Sequence, residues 1–177
     1  MKAGRRQALL LGAAGIAAAT AGFLAGPALL RLGGGGEGEA LRSASFVDLN
    51  GKMRRLAEWR GKVLVCNFWA TWCAPCREEI PLLLEMRRKY GLGGVEIVGI
   101  AIDNAAKVRQ FSASFSISYP VLLAEADGLD LMRRLGNSSG GLPYTVIADR
   151  EGGLVHHKLG ALKQPELDGL LAPLARG

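Results

Sequence analysis

A short apolar run that ends three residues before a cysteine pair constrains this chain more than any other feature. Residues 63–69 (VLVCNFW) are followed by Ala70-Thr71-Trp72 and then Cys73-Ala74-Pro75-Cys76. The run is brief and rich in β-branched and aromatic side chains, which is the pattern of a buried strand. Pro75 suits the first turn of a helix, where its missing N–H costs little. Residues 74–90 therefore read as a helix, with Pro81 inside it predicted to introduce a kink. A strand that hands over to a helix at this point places Cys73 at the helix N-terminus.

That placement has chemical consequences. Unsatisfied N–H groups and the helix dipole favour an anion at a helix start. A thiol with a pKa of about 8.5 is mostly protonated at neutral pH, and a lower value raises the fraction of reactive thiolate, although lower basicity also reduces its intrinsic nucleophilicity. Cys76 lies one helical turn later on the same face. Cys73 is assigned as the attacking thiol and Cys76 as the resolving thiol.

Other uses of the spacing fit less well. A zinc site needs about four ligands, and the only further candidates are Cys66, in mid-strand, and the adjacent His156 and His157. Neighbouring residues on a strand point to opposite faces, so the two histidines do not form a joint site, and no metal is expected. Covalent haem attachment would require a His after the second Cys, where this chain has Arg77. A bridge across so short a loop adds little stability. Three cysteines are also too few for a disulfide scaffold.

The remaining sequence suggests an α/β domain. Residues 44–49 and 52–56 flank Asn50-Gly51, a hairpin turn signal. Residues 95–102 read as a second buried strand, and 104–115 as a helix capped by Asn104. A short strand is expected at 120–123, a short helix at 128–135, strands at 143–148 and 154–159, and a final helix at 164–175. This order predicts a central mixed β-sheet flanked by helices, with an N-terminal β-hairpin.

The N-terminal segment reads as an export signal. Lys2, Arg5 and Arg6 precede residues 8–30, which carry no charge. The run is long enough to span a bilayer, which takes about 20 residues. It is rich in Ala and Gly, and Ala19-Thr20-Ala21 would serve as a cleavage site, so residues 1–30 are either an N-terminal membrane anchor or a signal peptide. Arg5-Arg6 is also a weak twin-arginine pattern, leaving the export route open. Charge before the run places the following domain outside the cytoplasm, on the periplasmic side of a bacterial inner membrane. Residues 31–41 read as a Gly-rich linker and 42–177 as the domain. The net charge of +6 is concentrated in this leader, because residues 1–36 hold four basic residues and no acid. A nucleic-acid binder would carry its basic excess on the folded module, so nucleic acid is not an expected partner.

The segment Asn67-Phe68-Trp69-Ala70-Thr71-Trp72-Cys73-Ala74-Pro75-Cys76-Arg77-Glu78-Glu79-Ile80-Pro81 resembles the active-site segment of the TlpA-like and ResA-like thioredoxins. Gly141-Leu142-Pro143-Tyr144-Thr145-Val146-Ile147-Ala148-Asp149 resembles the loop of that family that carries a cis-proline. The resemblance covers roughly residues 42–175. It implies a thioredoxin-like fold and a membrane-tethered or periplasmic disulfide reductase, with Pro143 cis beside the cysteines and Leu142 presenting its backbone to an extended substrate. Trp72 matches a surface tryptophan suited to partner contact.

General thioredoxins have a buried Asp where this chain has Asn67, which cannot act as a base. In the TlpA-like group a Glu after the motif is implicated instead. Glu79 matches it and shares a face with Cys76, where it would accept that thiol's proton. The alternative for Glu79 is a solvated surface charge. The implied partners are a disulfide-bearing protein, of the cytochrome c or copper-site assembly type, and a membrane thiol reductant. The chain has no nucleotide motif of its own, and no cofactor is expected. Dedicated cytochrome c maturation thioredoxins carry a Glu just after the cis-proline, where this chain has Tyr144.

Two alternative functions use the same residues. A copper chaperone would employ Cys73 and Cys76 as thiolate ligands. A peroxiredoxin-type peroxidase would need a Pro seven residues before Cys73, where this chain has Cys66. Cys66 itself reads as a small buried hydrophobe, and Trp69 as core.

Overall fold

A computed structural model describes residues 36–176. The expected leader, residues 1–30, lies outside the described residues, as does the first part of the expected linker. Among the described residues, no helix is long and apolar enough to cross a membrane.

The packed domain starts earlier than the composition suggests. A helix, α1 (Glu37–Ser43), occupies the end of the segment read as linker and the start of the one read as domain. Its Leu41 is 1% exposed. Arg42 Nη1 donates to the Gly152 carbonyl at 2.9 Å. The boundary at residue 42 is therefore too late. Gly and Glu obscure a two-turn helix held by tertiary contacts, the common source of stability for short helices.

The expected hairpin follows as β1 (Ser45–Asp48) and β2 (Met53–Arg55). Its turn is closed by Asp48 N–H donating to Lys52 O at 2.8 Å and Gly51 N–H to Asp48 O at 3.0 Å. Gly51 has φ of +83°, a left-handed conformation that glycine adopts without steric penalty. The Asp48 carboxylate accepts from the Asn50 and Lys52 N–H groups and reinforces the turn.

The central strand, β3 (Val63–Trp69), is buried at every position. It pairs in parallel with β4 (Val95–Ala101) and antiparallel with β6 (Tyr144–Ala148). β4 pairs in parallel with β5 (Val121–Leu123), and β6 antiparallel with β7 (Leu154–Leu159). The hairpin joins through β1 and β5, giving a seven-stranded mixed sheet in the order β2-β1-β5-β4-β3-β6-β7. Burial on both faces explains why β3 and β4 read as near-continuous apolar runs rather than alternating ones.

Alternation along β3 supplies two cores. Val63, Val65 and Trp69 pack with residues of α2 (Ala74–Tyr90), α3 (Ala105–Ser114) and α5 (Gln164–Arg176). Leu64, Cys66 and Phe68 pack with residues of α1 and α4 (Glu125–Arg134) on the other face. Cys66 therefore lies in a different core from Cys73 and Cys76, and burial pushes its thiol pKa well up. Asn104 caps α3 as expected, accepting from the Ala106 and Lys107 N–H groups. α4 begins three residues before its expected start, because its N-cap, Ala124, has no capping side chain to mark the boundary.

Candidate active site

The end of β3 and the start of α2 are joined by residues 70–73. Cys73 is the N-cap of α2 and has extended backbone angles. Its Sγ accepts the Cys76 N–H at 3.3 Å, so one of the orphan donors of the helix points at this sulfur. Cys73 and Cys76 form a disulfide, with their Cα atoms 5.3 Å apart. Cys73 keeps 5% of its surface exposed and Cys76 none. The more accessible sulfur is therefore the one at the helix start.

A carboxylate fixes the loop in place. Asp103, just past β4, accepts the Thr71 N–H at 3.1 Å and also the Thr71 hydroxyl. Its other oxygen accepts the Asn104 N–H at 2.7 Å. Burial pushes the Asp103 carboxyl up, but these hydrogen bonds more than offset it and leave the carboxyl below the ordinary range. Asp103 was not among the residues singled out from sequence. The parallel β3–β4 pairing could have pointed to it, since it brings the C-terminal ends of the two strands together, where α/β sheets build their sites. Trp72, the next residue after this clamp, is 67% exposed.

Beneath the cysteines lies a buried polar cluster. Glu79 is 3% exposed, so it is not a solvated surface charge. It sits on the inner face of α2 with Cys76, Ile80, Leu83 and Met86. Its Oε1 accepts from Asn67 Nδ2 at 2.7 Å, and its Oε2 from the Leu162 N–H at 2.9 Å. Burial pushes the Glu79 carboxyl above the usual carboxylate range, and these two hydrogen bonds only partly counter it.

The sheet prepares the floor for Glu79. Thr145, Asn67 and Gly99 are register neighbours across β6, β3 and β4. Asn67 Nδ2 also donates to Thr145 Oγ1 at 3.0 Å, while Asn67 Oδ1 is buried without a partner. A Cβ at Gly99 would lie 2.9 Å from Trp69 Nε1 and 3.0 Å from Tyr119 Cε2. Glycine is thus required there for Trp69 and Tyr119 to close over the sheet. Burial, reinforced by the Glu79 charge, pushes the Tyr119 phenol well up.

The second sequence segment lies where the two cores meet, since Leu142 packs against both. Leu142 packs against the cluster that contains Cys73 and Cys76. The Leu142–Pro143 peptide bond is cis, and the Pro143 carbonyl accepts the Gly160 N–H at 2.8 Å. Tyr144 faces the other core, where it packs near Phe68 and its hydroxyl donates to the Leu135 carbonyl. His156 and His157 pair with different residues of β6. Among the described residues, no group of three or more His, Cys, Asp or Glu side chains is arranged to hold a metal ion.

This arrangement can exchange a dithiol for a disulfide, and the known proteins it resembles are named for the same chemistry. The Redoxin family model matches residues 36–171. The chain is 33% identical over 125 residues to the thiol-disulfide oxidoreductase ResA of Bacillus anthracis, covering 70% of each chain. A thioredoxin-family thiol:disulfide interchange protein from Chlorobium tepidum TLS superposes with a TM-score of 0.67 at 28% identity, over 76% of this chain and 94% of that one. A secreted disulfide oxidoreductase of Mycobacterium tuberculosis superposes with a TM-score of 0.64 at 27% identity, over 77% of this chain and 98% of that one. With the thioredoxin-like sheet, the helix-start cysteine pair and this agreement together, the chain belongs to the Redoxin family, within its ResA-like thioredoxin group, and is a thiol–disulfide oxidoreductase.

Proposed function

We propose that the protein reduces disulfides of exported proteins, with Cys73 as nucleophile, Cys76 as resolving thiol and Glu79 as the acceptor of the Cys76 proton. The observation that carries this reading is the buried Glu79 carboxylate, one helical turn from a fully buried Cys76. A thiol sealed from water has no solvent base to ionise it, and a carboxylate with a raised pKa is matched to that proton.

In the first step the Cys73 thiolate attacks one sulfur of the partner's disulfide, and the other partner sulfur leaves as a thiolate that takes a proton. Cys76 then gives its proton to Glu79 and attacks the Cys73 sulfur. The partner's second thiolate leaves and is protonated, and Cys73–Cys76 is left as the disulfide present in the structure. A membrane thiol reductant would return the two electrons.

The backbone at Leu142, whose side chain packs on the cluster that holds the pair, and the projecting Trp72 would border the surface on which an extended partner segment lies, with the buried cis Pro143 setting the direction of the Leu142 carbonyl. The basic start and uncharged run of the leader support a site of action outside the cytoplasm. The substrate classes are disulfides of cytochrome c or copper-site assembly. Tyr144, turned into the opposite core, offers no carboxylate next to Pro143, which favours the copper-site class of the two.

Glu79→Gln tests the reading. The rate at which reduced protein is oxidised by a protein disulfide should fall on the order of 10²-fold near neutral pH, and its pH profile should lose the limb that belongs to Glu79. An unchanged profile would remove Glu79 from the mechanism. Stability provides a second readout. A buried carboxyl whose native pKa lies above its unfolded value of about 4.3 binds protons more tightly when folded. Its contribution is fully present below the unfolded value and is lost as pH rises through the native value. The urea midpoint of the wild type should therefore fall relative to Glu79→Gln as pH increases.

A further inference from the structure

We infer that the Asn67 side-chain amide is a reversible positioning group for Glu79, donating to the carboxylate and inverting to accept from the carboxylic acid. This rests on the reading of Glu79 as the acceptor of the Cys76 proton.

One partner of Glu79 cannot change its role. The Leu162 N–H is a main-chain donor, 2.9 Å from Oε2, and in a carboxylic acid the carbonyl oxygen is the better acceptor for it than the hydroxyl oxygen. A proton taken up by Glu79 is therefore directed to Oε1. That oxygen faces Asn67 Nδ2 at 2.7 Å, a donor. An Oε1–H hydrogen turned toward Asn67 would set two donors against each other in a site with almost no access to water.

Inversion of the amide resolves the conflict without a second rearrangement. Asn67 uses both N–H groups of Nδ2, one on Glu79 Oε1 and one on Thr145 Oγ1. After inversion, Oδ1 occupies that position and offers two lone pairs to the same two neighbours. The carboxylic acid donates to one of them. The Thr145 hydroxyl, which can rotate between accepting and donating, serves the other. Nothing holds the amide on its far side, because Oδ1 is buried with no hydrogen-bond partner. Inversion breaks no contact there, but it turns the NH2 toward a side with no acceptor in the described residues, so the inverted state is held by the acid's donation to Oδ1 and is occupied only while Glu79 is protonated.

An Asp at position 67 could not do this, because an anion beside the Glu79 carboxylate would repel it and has no donor to offer. The other titratable groups disposed about Glu79 are Cys76, one turn earlier on α2, and Tyr119, whose buried phenol remains neutral. Neither competes for Oε1 in the hydrogen bonds of the described residues.

NMR of the full chain tests the inference. In the wild type, the Asn67 side-chain NH2 protons should show cross-relaxation to the Glu79 methylenes and the Thr145 methyl while the Glu79 carboxyl carbon reports the anion. Those cross-peaks should disappear on the same midpoint as the carboxyl titrates. In Glu79→Gln the fixed Leu162 N–H orients the new amide so that its NH2 faces Asn67, and the Asn67 cross-peaks should be absent at every pH. Persistence of the cross-peaks through the carboxyl titration, or in Glu79→Gln, would overturn the inference. Because the readout is the amide's orientation rather than turnover, its failure differs from an unchanged pH–rate profile, which would instead remove Glu79 as the proton acceptor.

Discussion

Replacing Cys73 with serine abolishes turnover, an expected loss on the order of 10³-fold or more. A serine hydroxyl remains protonated where a helix-start thiol ionises, and it cannot form a disulfide with the partner. Cys76→Ser gives the opposite signature. Its Cys73 still attacks, but no second sulfur can displace the partner, so the mixed disulfide accumulates. Non-reducing electrophoresis after mixing reduced variant with an oxidised protein substrate separates the two outcomes. The assignment rests on Cys73 being the N-cap, with Cys76 N–H directed at its sulfur and Cys76 fully buried. A stable adduct formed by Cys73→Ser, or normal turnover by Cys76→Ser, would reverse the roles.

Trp69→Ala should cost about 3–5 kcal/mol of stability, the range for truncating a buried large aromatic. That is a large share of the roughly 5–15 kcal/mol typical of a domain. Trp69 is 1% exposed at the end of β3, its ring lies 5.3 Å from that of Phe111, and it fills the space that Gly99 leaves open. Removing it leaves a cavity under the loop that carries Cys73. Trp72, three residues on and mostly exposed, should by contrast shift stability by no more than about 0.5 kcal/mol when truncated. Urea unfolding of both variants makes the comparison. A loss below about 1 kcal/mol for Trp69→Ala would show that the core does not depend on it.

Where periodicity was strong, sequence and structure agree closely. β3 coincides with residues 63–69, α2 with 74–90 and β7 with 154–159. These segments carry their own signals: an unbroken apolar run, a proline at a helix start, and alternation. α1 had no such signal, because its helicity depends on the burial of Leu41 against a distant part of the chain. The start of α4 was missed for a related reason, the absence of a capping side chain.

The site divides in the same way. The cysteines and their helix-start placement are written in contiguous residues. The burial of Glu79, by contrast, is set by Asn67 on β3 and by the main chain at Leu162, 12 and 83 positions away in sequence. Asp103 belongs to the loop only because β4 lies beside β3. Helical spacing could place Glu79 on the same face as Cys76, but only the packed sheet shows that this face is dry.

Every step of the proposed reaction depends on Cys73, and no other cysteine, being presented as a thiolate at the start of α2. Limited alkylation of the fully reduced protein across pH, with the modified cysteine identified by mass spectrometry, measures this. Modification is expected at Cys73 with a midpoint below the ordinary thiol value of about 8.5, while Cys76 and Cys66 stay unmodified. Modification of Cys76 first, or a Cys73 midpoint at or above that value, would contradict it.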